Sequence, residues 1–234
     1  MEIVGIEPPT SDRIHERHER LLARLRAAAE ANGHDPGRLR IVAVTKSWPV
    51  EVARAALEAG LTILGENRVQ EAEPKVAALP DADWHFVGRL QSNKARRAIR
   101  TFAVIHSVDS LELLRRLDEL AAEEAKDTRF MLQVNVSGEE SKAGMRPEAV
   151  AAADLSLPTA ARLIGLMTMA PMGATEAGAR STFRRLRELR DRMEQAAGIG
   201  LPELSMGMTA DADAAAAEGA TLVRIGTALF GPRP

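Results

Sequence analysis

The chain has no cysteine and no tyrosine among its 234 residues, and aromatic side chains make up only 3% of it. Without cysteine there is no disulfide, no thiolate nucleophile and no cysteine-ligated metal, a composition that fits a reducing cytoplasm. Without tyrosine no phenol can act as acid or base, and that omission constrains the chemistry more than the missing thiol. A charge of one sign is lacking too: 31 Lys and Arg against 33 Asp and Glu leave a formal net charge of −2, with no global bias towards nucleic acid or a membrane surface. The shortage of aromatics also removes the stacking platforms that nucleic-acid binding uses. No stretch of eighteen uninterrupted apolar residues occurs, and the opening MEIVGIEPPTSDRIHERHER lacks the basic-then-apolar order of a secretory leader. A cytoplasmic protein is expected.

What is present is a globular balance, 45% hydrophobic and 27% charged, in a chain about as long as one (β/α)₈ barrel, typically ~250 residues. Strand-like apolar runs alternate with longer amphipathic ones, the pattern of parallel βαβ units. The runs predict an α/β fold: one TIM barrel spanning 1–234 as a single domain, with an extra N-terminal helix from about Asp12 to Asn32 capped by Thr10, Ser11 or Asp12. Strands are expected near 41–46, 62–65, 84–87, 103–106, 130–136, 162–168, 203–206 and 221–225. Pro49 suits the first position of a crossover helix that buries Val52, Ala56 and Leu57 and stops at Gly60. Leu111, Leu114, Leu117 and Leu120 recur at helical spacing, as do Phe183, Leu186 and Leu189. Pro74 should kink or shorten its helix.

In such barrels the active site lies at the carboxyl ends of the strands, and phosphate sites are built mostly from the loops after strands seven and eight. Those loops read Ser205-Met206-Gly207-Met208 and Arg224-Ile225-Gly226-Thr227. They offer small residues that let backbone N–H groups approach, a hydroxyl from Ser205 or Thr227, and a helix N-terminus. The plainer alternative is that Gly207 and Gly226 merely make tight turns. Lys46 closes the first apolar run, Ile41-Val42-Ala43-Val44-Thr45-Lys46. A strand-end lysine is ordinarily solvated and protonated, with an unperturbed pKa of about 10.4. A half-buried site with a second cation nearby would supply the neutral nucleophilic amine, and Arg224 is the expected neighbour because strand eight pairs with strand one. A reactive amine beside a phosphate cradle suggests pyridoxal 5'-phosphate (PLP).

Seven segments, VTKSWP, GENRVQE, WHFVGRLQSNK, VNVSGEESKAG, GLMTMAP, LSMGMTAD and VRIGTALFG, run in order from about Arg40 to Gly231. Together they closely resemble the pyridoxal phosphate homeostasis protein family, which is related to the N-terminal barrel of alanine racemase, a fold of PLP type III. The resemblance implies Lys46 as the Schiff-base lysine, with Ser205, Gly226 and Thr227 on the phosphate. It places Arg224 beside the pyridine nitrogen and Asn67 and Met167 near the ring. Met206, Gly207 and Ile225 complete the expected site as members of the two phosphate loops. One departure is Arg68, where the family pattern GENYVQE has tyrosine.

An arginine at the pyridine nitrogen can only donate, so that nitrogen stays unprotonated and the ring is a poor electron sink. Racemisation tolerates such a ring but needs a second acid/base, which in the resembling racemases is a partner's tyrosine. This chain has none, and little sequence follows strand eight to form the racemases' additional β domain. His85, His106 and Lys142 could substitute, though each reads more plainly as a polar loop residue. The expected function is intracellular PLP storage, buffering or transfer to PLP-dependent apoenzymes by a monomer with little turnover. A PLP-dependent amino-acid racemase is the alternative, and a Schiff-base aldolase acting on a phosphorylated substrate is a third class. No catalytic residue is assigned.

His15 and His18 sit one turn apart among charges and read as a solvated face rather than a metal site; no metal is expected. Lys94, Arg96, Arg97 and Arg100 form a local basic cluster. The arginines from Arg180 to Arg192 interleave with Glu188, Asp191 and Glu194, as exposed helical ion pairs do. Met167, Met169 and Met172 are expected to pack the barrel, with Met167 able to reach the cofactor.

Overall fold

A computed structural model describes residues 7–139, 143–153 and 162–232. Lys142 and part of the VNVSGEESKAG segment lie outside the described residues. Eight parallel strands close into a barrel in sequence order: β1 (Arg40–Val44), β2 (Ile63–Glu66), β3 (Asp83–Phe86), β4 (Val104–Val108), β5 (Arg129–Gln133), β6 (Leu163–Met167), β7 (Glu203–Ser205) and β8 (Leu222–Ile225). The seam is the pairing of β8 with β1, in register from Arg40 opposite Leu222 to Ala43 opposite Ile225. After α1 (Ser11–Ala31), each strand is followed by one helix: α2 (Val50–Glu58), α3 (Val69–Ala78), α4 (Ala95–Thr101), α5 (Leu111–Glu123), α6 (Pro147–Ala151), α7 (Glu176–Ala197), α8 (Ala212–Ala217) and α9 (Thr227–Phe230). The expected (β/α)₈ barrel with an extra leading helix is what the chain forms.

The two-residue period of the strands sorts their side chains. Ile41, Ala43, Leu64, Ile105, Phe130, Leu132, Leu204, Val223 and Ile225 belong to the outer core that meets the helices. Val42, Ile63, Val104, Met131, Met167 and Leu222 form a small apolar plug inside the barrel. The same inward phase carries His85, His106, Ser205 and Arg224, all buried.

Several helices are as their patterns predict. Leu114, Leu117 and Leu120 of α5 and Phe183, Leu186 and Leu189 of α7 are buried. Ser110 caps α5 by accepting from the Leu113 N–H at 3.1 Å, and Gly198 closes α7 at a φ of 64°. Gly60, at a φ of 86°, follows α2 as expected, whereas Pro49 is the residue before the helix rather than its first. α3 continues through Pro74 to Ala78, because only one N–H is forfeited there and both flanking turns are anchored on the barrel by buried Ala72 and Lys75.

Other expectations are corrected. β1 stops at Val44, so Thr45 and Lys46 belong to the loop, and β5 stops at Gln133 rather than running to residue 136. His85 and His106 are strand residues buried in the barrel, not polar loop residues. His15 and His18 both turn to the Ala59 carbonyl, at 3.3 and 3.4 Å, and so help dock α1 on the end of α2. Arg180, Arg184 and Arg187 do not pair within α7. They converge on Glu218, a carboxylate only 2% exposed at the end of α8. Met167 packs the barrel, but Met172 is 99% exposed.

Candidate functional site

The site begins where β1 ends. The Thr45 N–H still donates to the Gly65 carbonyl of β2 at 3.0 Å, and the Trp48 N–H then turns back to the Thr45 carbonyl at 3.0 Å. Between them Ser47 takes a φ of 65°, a left-handed conformation that costs a non-glycine residue energy and marks a turn held by its surroundings. That turn leaves Lys46 half-buried on the wall of a cavity at the barrel mouth.

Below the turn lies a buried ion pair. Lys75 of α3 donates to Glu66 Oε1 at 2.6 Å and to the Thr45 carbonyl at 2.9 Å, while the Thr45 hydroxyl donates to the same Glu66 oxygen at 2.7 Å. Glu66 is fully buried, and its Oε2 has no hydrogen-bond partner among the described residues. These bonds hold the residue that precedes Lys46.

On the far side, the β7 loop turns at Gly207, whose φ of 89° and neighbours require glycine: a Cβ there would sit 2.5 Å from Ala215 Cβ. The Gly207 carbonyl accepts from the Arg224 N–H, and Asp211 closes the following turn by accepting from the Met208 N–H at 2.5 Å. Residues Met208 to Ala210 are thereby presented to the cavity. The β8 loop approaches equally closely, since a Cβ on Gly226 would lie 3.3 Å from the Val44 carbonyl, and α9 starts beside it with no side-chain cap. Its first N–H groups are left for whatever occupies the cavity.

Arg224 is the buried cation of the site. Its Nη1 donates to Ser205 Oγ at 2.6 Å and its Nη2 to the Thr168 carbonyl at 2.9 Å. Burial pushes the guanidinium down to about 10, opposed by Asp211, so it stays charged at neutral pH.

The cavity measures about 340 Å³, within the range of small-molecule sites. Lys46, Asn67, Arg224, Gly226 and Thr227 line it, as expected. Val44, Trp48, Val87, Met169, Met208, Thr209, Ala210 and Gly231 complete the wall. Two cations, two hydroxyls and an amide are present and, among the described residues, no carboxylate lines the cavity, so the donor set suits an anionic ligand with a flat apolar body, and PLP fits that description.

The other expected residues are placed elsewhere. Ser205 is fully buried and turned into the barrel, where its hydroxyl also meets His106 Nδ1 at 2.8 Å. Met206 and Ile225 face the helices, and Met167 lies in the interior plug. Gly207 shapes the loop without lining the cavity. The hydroxyl that the β7 loop offers is that of Thr209, two residues after the glycine instead of two before it. No local signal separates the two hydroxyls, because the inward phase of Ser205 depends on how the strands register around the barrel. Arg68 is exposed and pairs with Glu71 at 2.8 Å.

The family model of the alanine racemase N-terminal domain matches residues 19–234. A curated protein of Pseudomonas aeruginosa named pyridoxal phosphate homeostasis protein is 46% identical, over 94% of this chain and 96% of its own. One of the same name from Aquifex aeolicus is 41% identical over 93% of this chain and 97% of its own. Among solved structures, PipY of Synechococcus elongatus with PLP bound superposes with a TM-score of 0.79 at 38% identity, covering 93% of this chain and all, 100%, of PipY. An alanine racemase of Clostridium difficile shares the fold alone, with a TM-score of 0.71 at 15% identity, covering 99% of this chain and 60% of its own.

Proposed function

This chain belongs to the pyridoxal phosphate homeostasis protein family, within the alanine racemase N-terminal domain family, and from that premise we propose that it binds PLP in the cavity at its barrel mouth. The observation that carries the reading is the meeting of Lys46, Arg224 and the two glycine turns around one cavity that no carboxylate lines. When bound, PLP supplies an aldehyde that a primary amine can hold covalently and a ring that can withdraw electrons.

Lys46 would be the residue that holds the cofactor, through its primary amine. The backbone N–H groups of Thr209, Ala210, Gly226 and Thr227, with the Thr209 and Thr227 hydroxyls, would hold the phosphate, the Met208 N–H being taken by Asp211. Arg224, which can only donate, would face the ring nitrogen and leave it without a proton of its own, and Val44, Val87 and Asn67 would bound the ring. Low turnover follows from what the wall lacks. Among the described residues, no imidazole, carboxylate or thiol lines the cavity opposite Lys46, so a proton removed by the lysine on one face has no donor on the other. The protein therefore stores and buffers PLP in the cytoplasm, as a monomer, and releases it to apoenzymes.

The test is absorption spectroscopy followed by borohydride reduction and peptide mass mapping. A yellow protein whose reduced adduct maps to Lys46, with Lys46→Ala colourless, is expected. A colourless wild type, or an adduct on another lysine, overturns the reading. Exchange of amino-acid α-protons into deuterated solvent at enzymatic rates would favour the racemase.

A further inference from the structure

Five side chains form a continuous polar line through the barrel interior. From the cavity downwards, Arg224 Nη1 lies 2.6 Å from Ser205 Oγ, which lies 2.8 Å from His106 Nδ1. His106 Nε2 lies 2.9 Å from His85 Nδ1, and His85 Nε2 lies 3.3 Å from Asp83 Oδ2. The last contact is the loosest, for His85 Nε2 makes no well-aligned hydrogen bond. Asp83 opens β3, at the end of the barrel opposite the cavity, and its side chain is 41% exposed, whereas His85, His106 and Ser205 are 3%, 0% and 0% exposed.

The two ends dictate where every proton in between must sit. A guanidinium only donates, so Ser205 Oγ accepts from Arg224 and its own proton is free to go to His106 Nδ1. With Nδ1 accepting, neutral His106 carries its proton on Nε2 and donates to His85 Nδ1. His85 then carries its proton on Nε2, facing the Asp83 carboxylate. The opposite order would aim a bare ring nitrogen at that carboxylate and leave the serine proton without an acceptor among the described residues. The charge states that this order requires, a neutral His106 and an ionised Asp83, follow from the surroundings of the two groups. Burial, then His85 and Arg224, hold the His106 imidazole well below 6.5, and the contact with His85 keeps the Asp83 carboxyl below its usual range. Donors aligned in one direction between a cation and an anion polarise one another.

We propose that Asp83, His85, His106 and Ser205 form a proton-ordered line that fixes the Arg224 guanidinium as a donor into the cavity, with His85 and His106 as positioning residues. The proton order stands on the contacts alone; the role at the PLP ring nitrogen rests on the function proposed above. Ser205 and the Thr168 carbonyl engage one N–H on each terminal nitrogen of Arg224, so the direction of its remaining donors is set from inside the barrel.

The experiment uses ¹⁵N-histidine- and ¹⁵N-arginine-labelled full chain, first without cofactor. At neutral pH both His85 and His106 should show a protonated Nε2 and a bare Nδ1. A protonated Nδ1 on His106, or a doubly protonated ring, overturns the proposal. Asp83→Asn, at the exposed end, should mix the His85 tautomers and shift the Arg224 Nε–H signal, with Asp81→Asn as the exposed control that does neither. After loading with PLP, Asp83→Asn should also move the visible band. An Arg224 signal and a visible band both unchanged in Asp83→Asn overturn the coupling. If the wild type takes up no PLP, the proposed function fails and the tautomer measurement still decides the proton order.

Discussion

Replacing Lys75 by methionine tests the buried cluster beneath Lys46. The ammonium has two partners, Glu66 Oε1 at 2.6 Å and the Thr45 carbonyl at 2.9 Å, and both charged side chains are out of solvent, at 8% and 0% exposure. Methionine fills much the same volume, so packing changes little and the cost is electrostatic. Glu66 would keep a single hydrogen bond, from the Thr45 hydroxyl, for a buried carboxylate whose other oxygen already has no partner. Breaking one side of a buried pair costs about 3–5 kcal/mol. For a chain of this size that lowers Tm by roughly 6–20 °C. The double variant Glu66→Leu/Lys75→Met removes both charges and should recover most of the loss. About 1–2 kcal/mol should remain, because the Thr45 carbonyl and hydroxyl lose their partners. Urea unfolding of the four members of the cycle at pH 7, followed by circular dichroism, measures the terms. A Lys75→Met cost below about 1 kcal/mol, or a double variant no more stable than the single, refutes the reasoning. The single variant should also retain PLP less well, since Thr45 fixes the backbone that carries Lys46.

Three further outcomes are expected. Gly207→Ala should lose about 2–4 kcal/mol in thermal or urea unfolding, from a left-handed backbone and a Cβ driven against Ala215. Thr209→Val should weaken the binding of inorganic phosphate roughly ten- to a hundredfold, read by titration of the tryptophan fluorescence, to which Trp48 on the cavity wall contributes; Ser205→Ala should cost less, because it acts only through Arg224, and equal losses would return Ser205 to the anion site. The depressed His106 means that the unfolded chain binds a proton the folded one refuses, so stability is complete above about pH 6.5 and falls as pH drops. The fall in stability as pH drops below about 6.5 should be shallower in His106→Gln, measured by urea unfolding across that range.

The alternation of strands and helices was legible because it is local: periods of 2 and 3.6 residues write themselves into any short window, and the glycines at 60 and 207 end a helix and turn a loop through their own backbone freedom. Lys46, Arg224, Gly226 and Thr227 were legible for a related reason, since a parallel barrel puts every strand's carboxyl end on one face, whatever its interior does. The phase of each strand about the barrel axis was not. It follows from closure of β8 onto β1, and it turns Ser205 inward to His106, 99 residues away, leaving Thr209 at the mouth. The packing of neighbouring units likewise gathers Glu66 and Lys75 under Thr45, three arginines on Glu218, and two histidines that resembled loop residues into one buried line. Local sequence carries spacing along the chain, whereas contacts across a barrel depend on register, and register is settled by the packing of all eight strands at once.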